Sequence, residues 1–249
     1  MCSIRIALSI LREGARDVSN SVFQIPTPPT IPIVGSAAVF PPYRIFCVGR
    51  NYEAHAREMG FEPDRKAPFY FVKSVHDIVL SGATIPYPPG TSNFQYEMEL
   101  VVALGKAAFE ISALEAKDCI YGYACGLDMT RRDLQIIYRE KQRPWDLGKD
   151  FENSAAISSI TPVEQFSLTG EENIKLSVNG VTKHLAQLAS LIWSVPELIS
   201  DLSRFYHLVP GDLLYTGTPE GVGPVLVGDH LLGSVDGLEP VKLTISGPS

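Results

Sequence analysis

The stretch FQYEMELVVALG, residues Phe94 to Gly105, reads as a strand. Tyr96, Met98, Leu100 and Val102 alternate onto one face, and Glu97, Glu99 and Val101 fall on the other. Like charges on one strand face repel, and burying them is costly unless something compensates. A cation shared by the two carboxylates is one compensation. A solvated strand end, where nothing needs compensating, is the alternative.

Upstream, RIFCVG (44–49) is a buried strand ending at a glycine. NYEAHAREMG (51–60) is a short helix with Asn51 as its cap and Gly60 as its stop. APFYFVKS is a strand and SGATIPYPPGTSN a loop. Downstream, YGYACGLDMT is a small-residue strand ending at Asp128. The helix TRRDLQIIYREK follows, with Thr130 as cap and Leu134, Ile137 and Tyr138 as its core stripe. NIKLSVNGVTKHL is a hairpin turning at Asn179–Gly180. SVPELISDLSRFY is a helix with a Ser194/Glu197 capping box and Pro196 in its first turn. VPGDLLYTGTPEGVGP gives a turn, a strand and a Gly-rich loop, and Asp236–Gly237 turns into the last strand, PVKLTI. Short strands, frequent Gly/Pro turns and few helices predict an α+β, β-rich fold, closed or rolled.

Residues 1–42 read as an extended, Pro-rich arm, with a short strand where Ile4, Ile6, Leu8 and Ile10 alternate; the compact domain is expected over 43–249. The chain has 249 residues and a net charge of −7, with no run of Lys/Arg, which argues against nucleic acid or an anionic membrane as partner. No run approaches the roughly 18 apolar residues of a membrane span. The N-terminus lacks the pattern of a signal peptide. The four cysteines, Cys2, Cys47, Cys119 and Cys125, show no C-x-x-C spacing, as expected of reduced thiols in a cytoplasmic protein. There is no P-loop, no G-x-G-x-x-G and no G-x-S-x-G elbow.

On one strand face the Cβ atoms of Glu97 and Glu99 lie about 7 Å apart, close enough for their carboxylates to share one ion. Asp128 ends its strand where the chain turns into a helix, and is the third candidate ligand. An all-oxygen set favours Mg²⁺ or Mn²⁺, with Ca²⁺ possible. A divalent ion leaves one negative charge of the three uncompensated, so an anionic ligand needs further cations. Arg132 and Gln135 share one helix face, and Lys149 and Lys73 are further candidates. His55 and Glu58 stand i, i+3, the spacing at which a carboxylate orients an imidazole as general base. His76, His184, His207 and His230 form no metal-spaced set and are assigned structural or surface roles. A non-enzyme alternative is a β-rich binding protein with a structural Ca²⁺, although such a site needs neither the His–Glu pair nor the cations.

The blocks GRNYEAHAREMG, YEMELVVALGK, YGYACGLDMTRRDLQ, RPWDLGKDF, VNG and VPGDLLYTGTPEGVGP, with the final hairpin, together resemble the fumarylacetoacetate hydrolase family, in family order from about Tyr43 to the C-terminus. CVGRNYEAHAREMG, IPYPP and LDMTRRDLQ look most like its fumarylpyruvate hydrolase branch; the acylpyruvase and oxaloacetate decarboxylase branch is the next most similar. The resemblance implies a mixed β-roll with a few short helices, usually a homodimer. It implies Mg²⁺ or Mn²⁺ on Glu97, Glu99 and Asp128. It also implies a His55–Glu58 dyad on a lid segment, with Arg132, Gln135, Lys149 and Thr218 lining the site. The reaction implied is hydrolysis of a C–C bond in a 2,4-dioxo acid, with fumarylpyruvate giving fumarate and pyruvate in gentisate-type aromatic degradation. Decarboxylation of oxaloacetate, or isomerisation or decarboxylation of a related dioic acid, uses the same chemistry. Two positions depart from the family: Ser74 stands where Pro is usual, and Lys183-His184 where Arg-Gln is usual.

Overall fold

The computed structural model describes residues 22, 23, 26–60, 62 and 65–248. The strand expected near Ile4–Ile10 and Cys2 lie outside them. The fold is α+β and β-rich, as expected, with most of its strands in two mixed sheets. The strands, in chain order, begin with β1 (Ile31–Pro32), β2 (Val39–Phe40), β3 (Arg44–Gly49), β4 (Phe69–Lys73), β5 (Ile78–Leu80) and β6 (Ala83–Pro86). Then come β7 (Phe94–Tyr96), β8 (Met98–Leu104), β9 (Ile120–Asp128), β10 (Thr130–Arg131), β11 (Ala155–Ile157) and β12 (Thr161–Pro162). The last are β13 (Asn173–Val178), β14 (Val181–Gln187), β15 (Asp212–Tyr215), β16 (Gly223–Pro224), β17 (His230–Val235) and β18 (Val241–Ser246). Among the described residues, five short α-helices intervene: α1 (Glu53–Glu58), α2 (Ala113–Ala116), α3 (Arg132–Glu140), α4 (Asp146–Lys149) and α5 (Val195–Leu202).

The larger sheet runs β4-β3-β15-β8-β9-β11-β5, with β12 also on β9; the second runs β14-β13-β17-β18-β6. β8 lies near the centre of the first sheet and is buried along its whole length. Its alternation sorts two apolar clusters. Leu100, Val102, Phe46 and Leu214 belong to one, and Val101, Ala103, Ile45, Cys47 and Tyr215 to the other. The antiparallel register pairs Glu99 with Gly126 and Val101 with Ala124, so Glu99 and Asp128 lie on one face of the sheet, at one end.

Several local expectations hold. The Asn179–Gly180 turn has both residues at positive φ, and α5 carries the Ser194/Glu197 capping box. Others give way to tertiary contacts. Asn51 does not cap α1, whose N-cap is Tyr52; its amide instead ties Trp193 to Thr216, through bonds of 2.8–3.0 Å. Thr130 does not cap α3, whose N-cap is Arg131; its hydroxyl accepts from Lys149 at 2.7 Å. The core stripe expected on α3 is also displaced: Arg132 and Gln135 are its buried residues, while Ile137 is 43% exposed. The helix turns its polar face inward because buried carboxylates lie beneath it. The segment 31–40, within the expected arm, pairs as the β1–β2 hairpin and buries Ile31, Ile33 and Phe40 against Ile45, Ile157 and Ile160.

Candidate active site

Glu97 stands between β7 and β8, outside both strands. Glu97, Glu99 and Asp128 are all buried, and one carboxylate oxygen from each lies within 4.8 Å of the others. Three cations are buried with them. Lys149 Nζ lies 2.7 Å from Glu97 Oε2 and 2.8 Å from Asp128 Oδ2. Arg132 pairs with Glu97 and also donates to Gln135 and to Gln95. Lys73 Nζ lies 2.9 Å from Asp128 Oδ1, close enough for an ion pair but without the alignment of a hydrogen bond, so this oxygen has no aligned donor.

Charges are unevenly distributed among the three carboxylates. Burial alone raises the Glu97 carboxyl, but Lys149 and Arg132 outweigh it and hold Glu97 well below the usual carboxylate range. Burial works against the Lys149 ammonium, yet Asp128 and Glu97 keep its pKa raised. Glu99 is 1% exposed, makes no ion pair among the described residues, and accepts a hydrogen bond from Gly217 N at 2.8 Å. Burial, then the charges of Asp128 and Glu97, push its carboxyl well up. A buried carboxylate with no cation of its own, next to an oxygen with no aligned donor, is what a hard divalent ion would satisfy, so the residues fit Mg²⁺ or Mn²⁺. Gly217 presents its N–H from φ +98, with Asn51 Cβ only 2.8 Å from where a Cβ would stand.

Helix α1 contributes His55 to the site. His55 is buried, and its Nδ1 lies 3.1 Å from Glu58 Oε2. A carboxylate only accepts, so Nδ1 carries the proton and Nε2 is the basic nitrogen. Gly221 N donates to Glu58 at 3.1 and 3.3 Å. Burial would raise the Glu58 carboxyl, but His55 and this N–H lower it.

One cavity is lined by His55, Glu97, Arg132, Gln135, Lys149 and Thr218, with Phe71 and Trp145 among its apolar walls. Of the sequence candidates, Glu58, Glu99, Asp128 and Lys73 are not among the lining residues: Glu99 and Asp128 cluster with Glu97, Glu58 bonds to His55, and Lys73 pairs with Asp128. The buried Thr218 Oγ1 has no partner among the described residues and so is available to a ligand. Sequence reasoning missed Thr130, Gln95 and Gly217, whose roles arise from contacts across strands. It also missed Arg139, which lines the cavity and whose position, i+4 from Gln135, could have found it. His184, assigned a structural or surface role, is fully buried beside Tyr96.

Residues 44–246 match the family described as Fumarylacetoacetate (FAA) hydrolase C-terminal. A fumarylpyruvate hydrolase of Ralstonia sp is 55% identical over 181 residues, covering 73% of this chain and 93% of the relative. The mitochondrial oxaloacetate tautomerase FAHD1 of Bos taurus is 36% identical over 204 residues, covering 82% and 92%. Among solved structures, fumarylpyruvate hydrolase from Pseudomonas aeruginosa, in complex with Mn²⁺ and pyruvate, superposes with a TM-score of 0.88 at 46% identity, covering 92% of this chain and all of that one. With most of its length matched and its acidic triad set in the same fold, the chain belongs to the fumarylacetoacetate hydrolase family.

Proposed function

We propose that this protein is a metal-dependent hydrolase that cleaves the C–C bond of an acylpyruvate, with fumarylpyruvate as substrate and fumarate and pyruvate as products. The observation that carries the reading is the cavity itself, which Glu97 of a buried acid triad with a divalent-ion fit and His55 of a His–Glu pair line together with Arg132 and Lys149. The 55%-identical fumarylpyruvate hydrolase supports the choice of substrate, and the Mn²⁺ and pyruvate bound by the structural relative support the cofactor class. We assign the reaction to gentisate-type aromatic degradation on the same likeness.

Glu97, Glu99 and Asp128 would hold Mg²⁺ or Mn²⁺, which when bound supplies Lewis acidity toward the dioxo-acid oxygens. His55 Nε2 takes the proton of the attacking water, while Glu58 holds the imidazole's other proton and stabilises the imidazolium. Arg132 and Lys149 offset substrate charge. Gln135 and the unpaired Thr218 hydroxyl offer hydrogen bonds that orient the acyl chain. Lys73, which the sequence placed with the substrate contacts, instead anchors Asp128.

The test is a Mg²⁺-supplemented assay of fumarylpyruvate, two other acylpyruvates and oxaloacetate, following loss of dioxo-acid absorbance and pyruvate formed. Fumarylpyruvate is expected to give the highest kcat/KM. A preference for oxaloacetate would move the protein to the decarboxylase or tautomerase branch.

A further inference from the structure

We infer that His184 is a positioning residue for the dyad: it holds the 216–224 loop so that the Gly221 N–H stays on Glu58. This rests on the proposed role of His55 and Glu58.

The ladder between β13 and β14 pairs Leu176 with His184 and Ser177 with Thr182, and so skips Lys183. A bulge of this kind re-aims the side chains beside it. Here it buries His184 completely on a strand whose neighbours Thr182, Lys183 and Leu185 are exposed. His184 Nδ1 lies 2.6 Å from the Glu220 carbonyl oxygen. That oxygen only accepts, so Nδ1 is the donor and the ring is the Nδ1–H tautomer. Nε2 is buried without a partner among the described residues, and burial lowers the ring's pKa, which keeps it neutral. The same peptide unit also serves Glu58. Gly221 N donates to both Glu58 oxygens, and Glu58 in turn holds His55. Gly221 lies at φ +95, and a Cβ there would stand 2.3 Å from Lys183 O, so the loop packs directly on the bulge. One strand irregularity therefore sets both ends of a single peptide unit: its carbonyl on His184 and its N–H on the dyad.

The experiment compares His184→Leu, His184→Gln, Glu58→Gln and Glu58→Gln/His184→Leu, all Mg²⁺-loaded, by kcat, KM and Mg²⁺ half-saturation. His184→Leu should lose about tenfold in kcat, the effect of one mis-set hydrogen bond to a charged group. Its KM and Mg²⁺ half-saturation should stay within about twofold, because the acid triad is not disturbed. Gln keeps an N–H donor, so His184→Gln should recover to within about threefold of wild type. In the Glu58→Gln background, His184→Leu should cost less than about twofold further, since residues acting as one unit are not additive. If His184→Leu does not fold, Gly221→Ala displaces the same N–H and replaces it in the cycle. Additive losses, or an unchanged kcat in His184→Leu, overturn the inference alone. A wild-type kcat in Glu58→Gln overturns the dyad and the inference together.

Discussion

Replacing Lys149 with Met removes a buried cation while keeping an unbranched side chain only one atom shorter. In the wild type, three buried carboxylates face three buried cations, Lys73, Arg132 and Lys149, and in the metal-free site burial and the neighbouring charges favour the protonated form of Glu99. Lys149 is 2% exposed and serves Glu97, Asp128 and Thr130 at once. Without it Glu97 and Asp128 lose the buried cation they share. Removing one partner of a buried ion pair costs about 3–5 kcal/mol. At roughly 2–4 °C per kcal/mol for a domain of this size, Tm in chelator should fall by about 6–20 °C. A divalent ion returns positive charge to the same carboxylates, so saturating Mg²⁺ should raise Tm more in Lys149→Met than in wild type. Thermal unfolding in EDTA and in excess Mg²⁺, for both proteins, reads this without reference to activity. An equal loss of Tm in both buffers would refute the charge-balance reasoning, and a loss under about 2 °C in EDTA would remove Lys149 from the cluster's stability altogether.

Chelation should abolish activity, and Mg²⁺ or Mn²⁺ should restore it; Glu99→Gln should raise the metal half-saturation at least tenfold with little change in Tm in chelator, as measured by titration and thermal unfolding. His55→Ala should lower hydrolysis by about 10²–10⁴-fold and leave the metal half-saturation near wild type, measured by Mg²⁺ titration of the residual rate. The Asp77 carboxyl is pushed up to about 7 by burial and by Asp150 beside it. A raised carboxyl pKa means that the folded state binds the extra proton, so its contribution is full below the unfolded value near 4 and is lost as pH rises through about 7. The Tm of wild type should therefore fall relative to Asp77→Asn between pH 5 and pH 8, and parallel Tm–pH curves would refute the assignment.

Most of the strands and the acid triad were legible because each rests on a short-range signal, whereas β6, in a stretch read as a loop, is held by its parallel pairing with β18. Alternation in Phe94–Gly105 places Glu99 with Val101, and Asp128 ends a strand of small residues whose register brings it to the same face. The errors fell where a distant partner outweighed the local preference. Asn51 has the chemistry of a helix cap, but the carbonyls of Trp193 and Thr216 claim its amide. On α3, the apolar spacing of Leu134, Ile137 and Tyr138 pointed inward by periodicity alone. The carboxylate of Glu97 and the amide of Gln95 reward burial of Arg132 instead, so the helix rotates and leaves Ile137 exposed. His184 stood out only as a departure from the family pattern, and its burial was not legible because it depends on a one-residue bulge that side-chain pattern does not encode.

The charge count also separates the site from a structural calcium centre. Judged from the triad alone, a bound divalent ion would leave one negative charge, and an anionic ligand would be repelled. The structure adds three buried cations, each within ion-pair distance of a triad carboxylate. A structural ion site gains nothing from them, because every buried cation weakens the hold of the carboxylates on the metal and is itself costly to desolvate. With the ion present and all groups charged, the cluster instead carries two positive charges. In a poorly solvated cavity this excess must be matched, and a doubly charged dioxo acid supplies two negative charges in one ligand. Fumarylpyruvate has that charge through its two carboxylates, whereas a singly charged acylpyruvate such as acetylpyruvate leaves one positive charge unmatched. On the proposed reading, the cost of burying Lys73, Arg132 and Lys149 would become selectivity between substrates that share the same reactive centre, and the kcat/KM ratio of fumarylpyruvate to acetylpyruvate should narrow in Arg132→Met. A ratio unchanged in that variant would place the discrimination elsewhere in the cavity, in its shape and not in its charge.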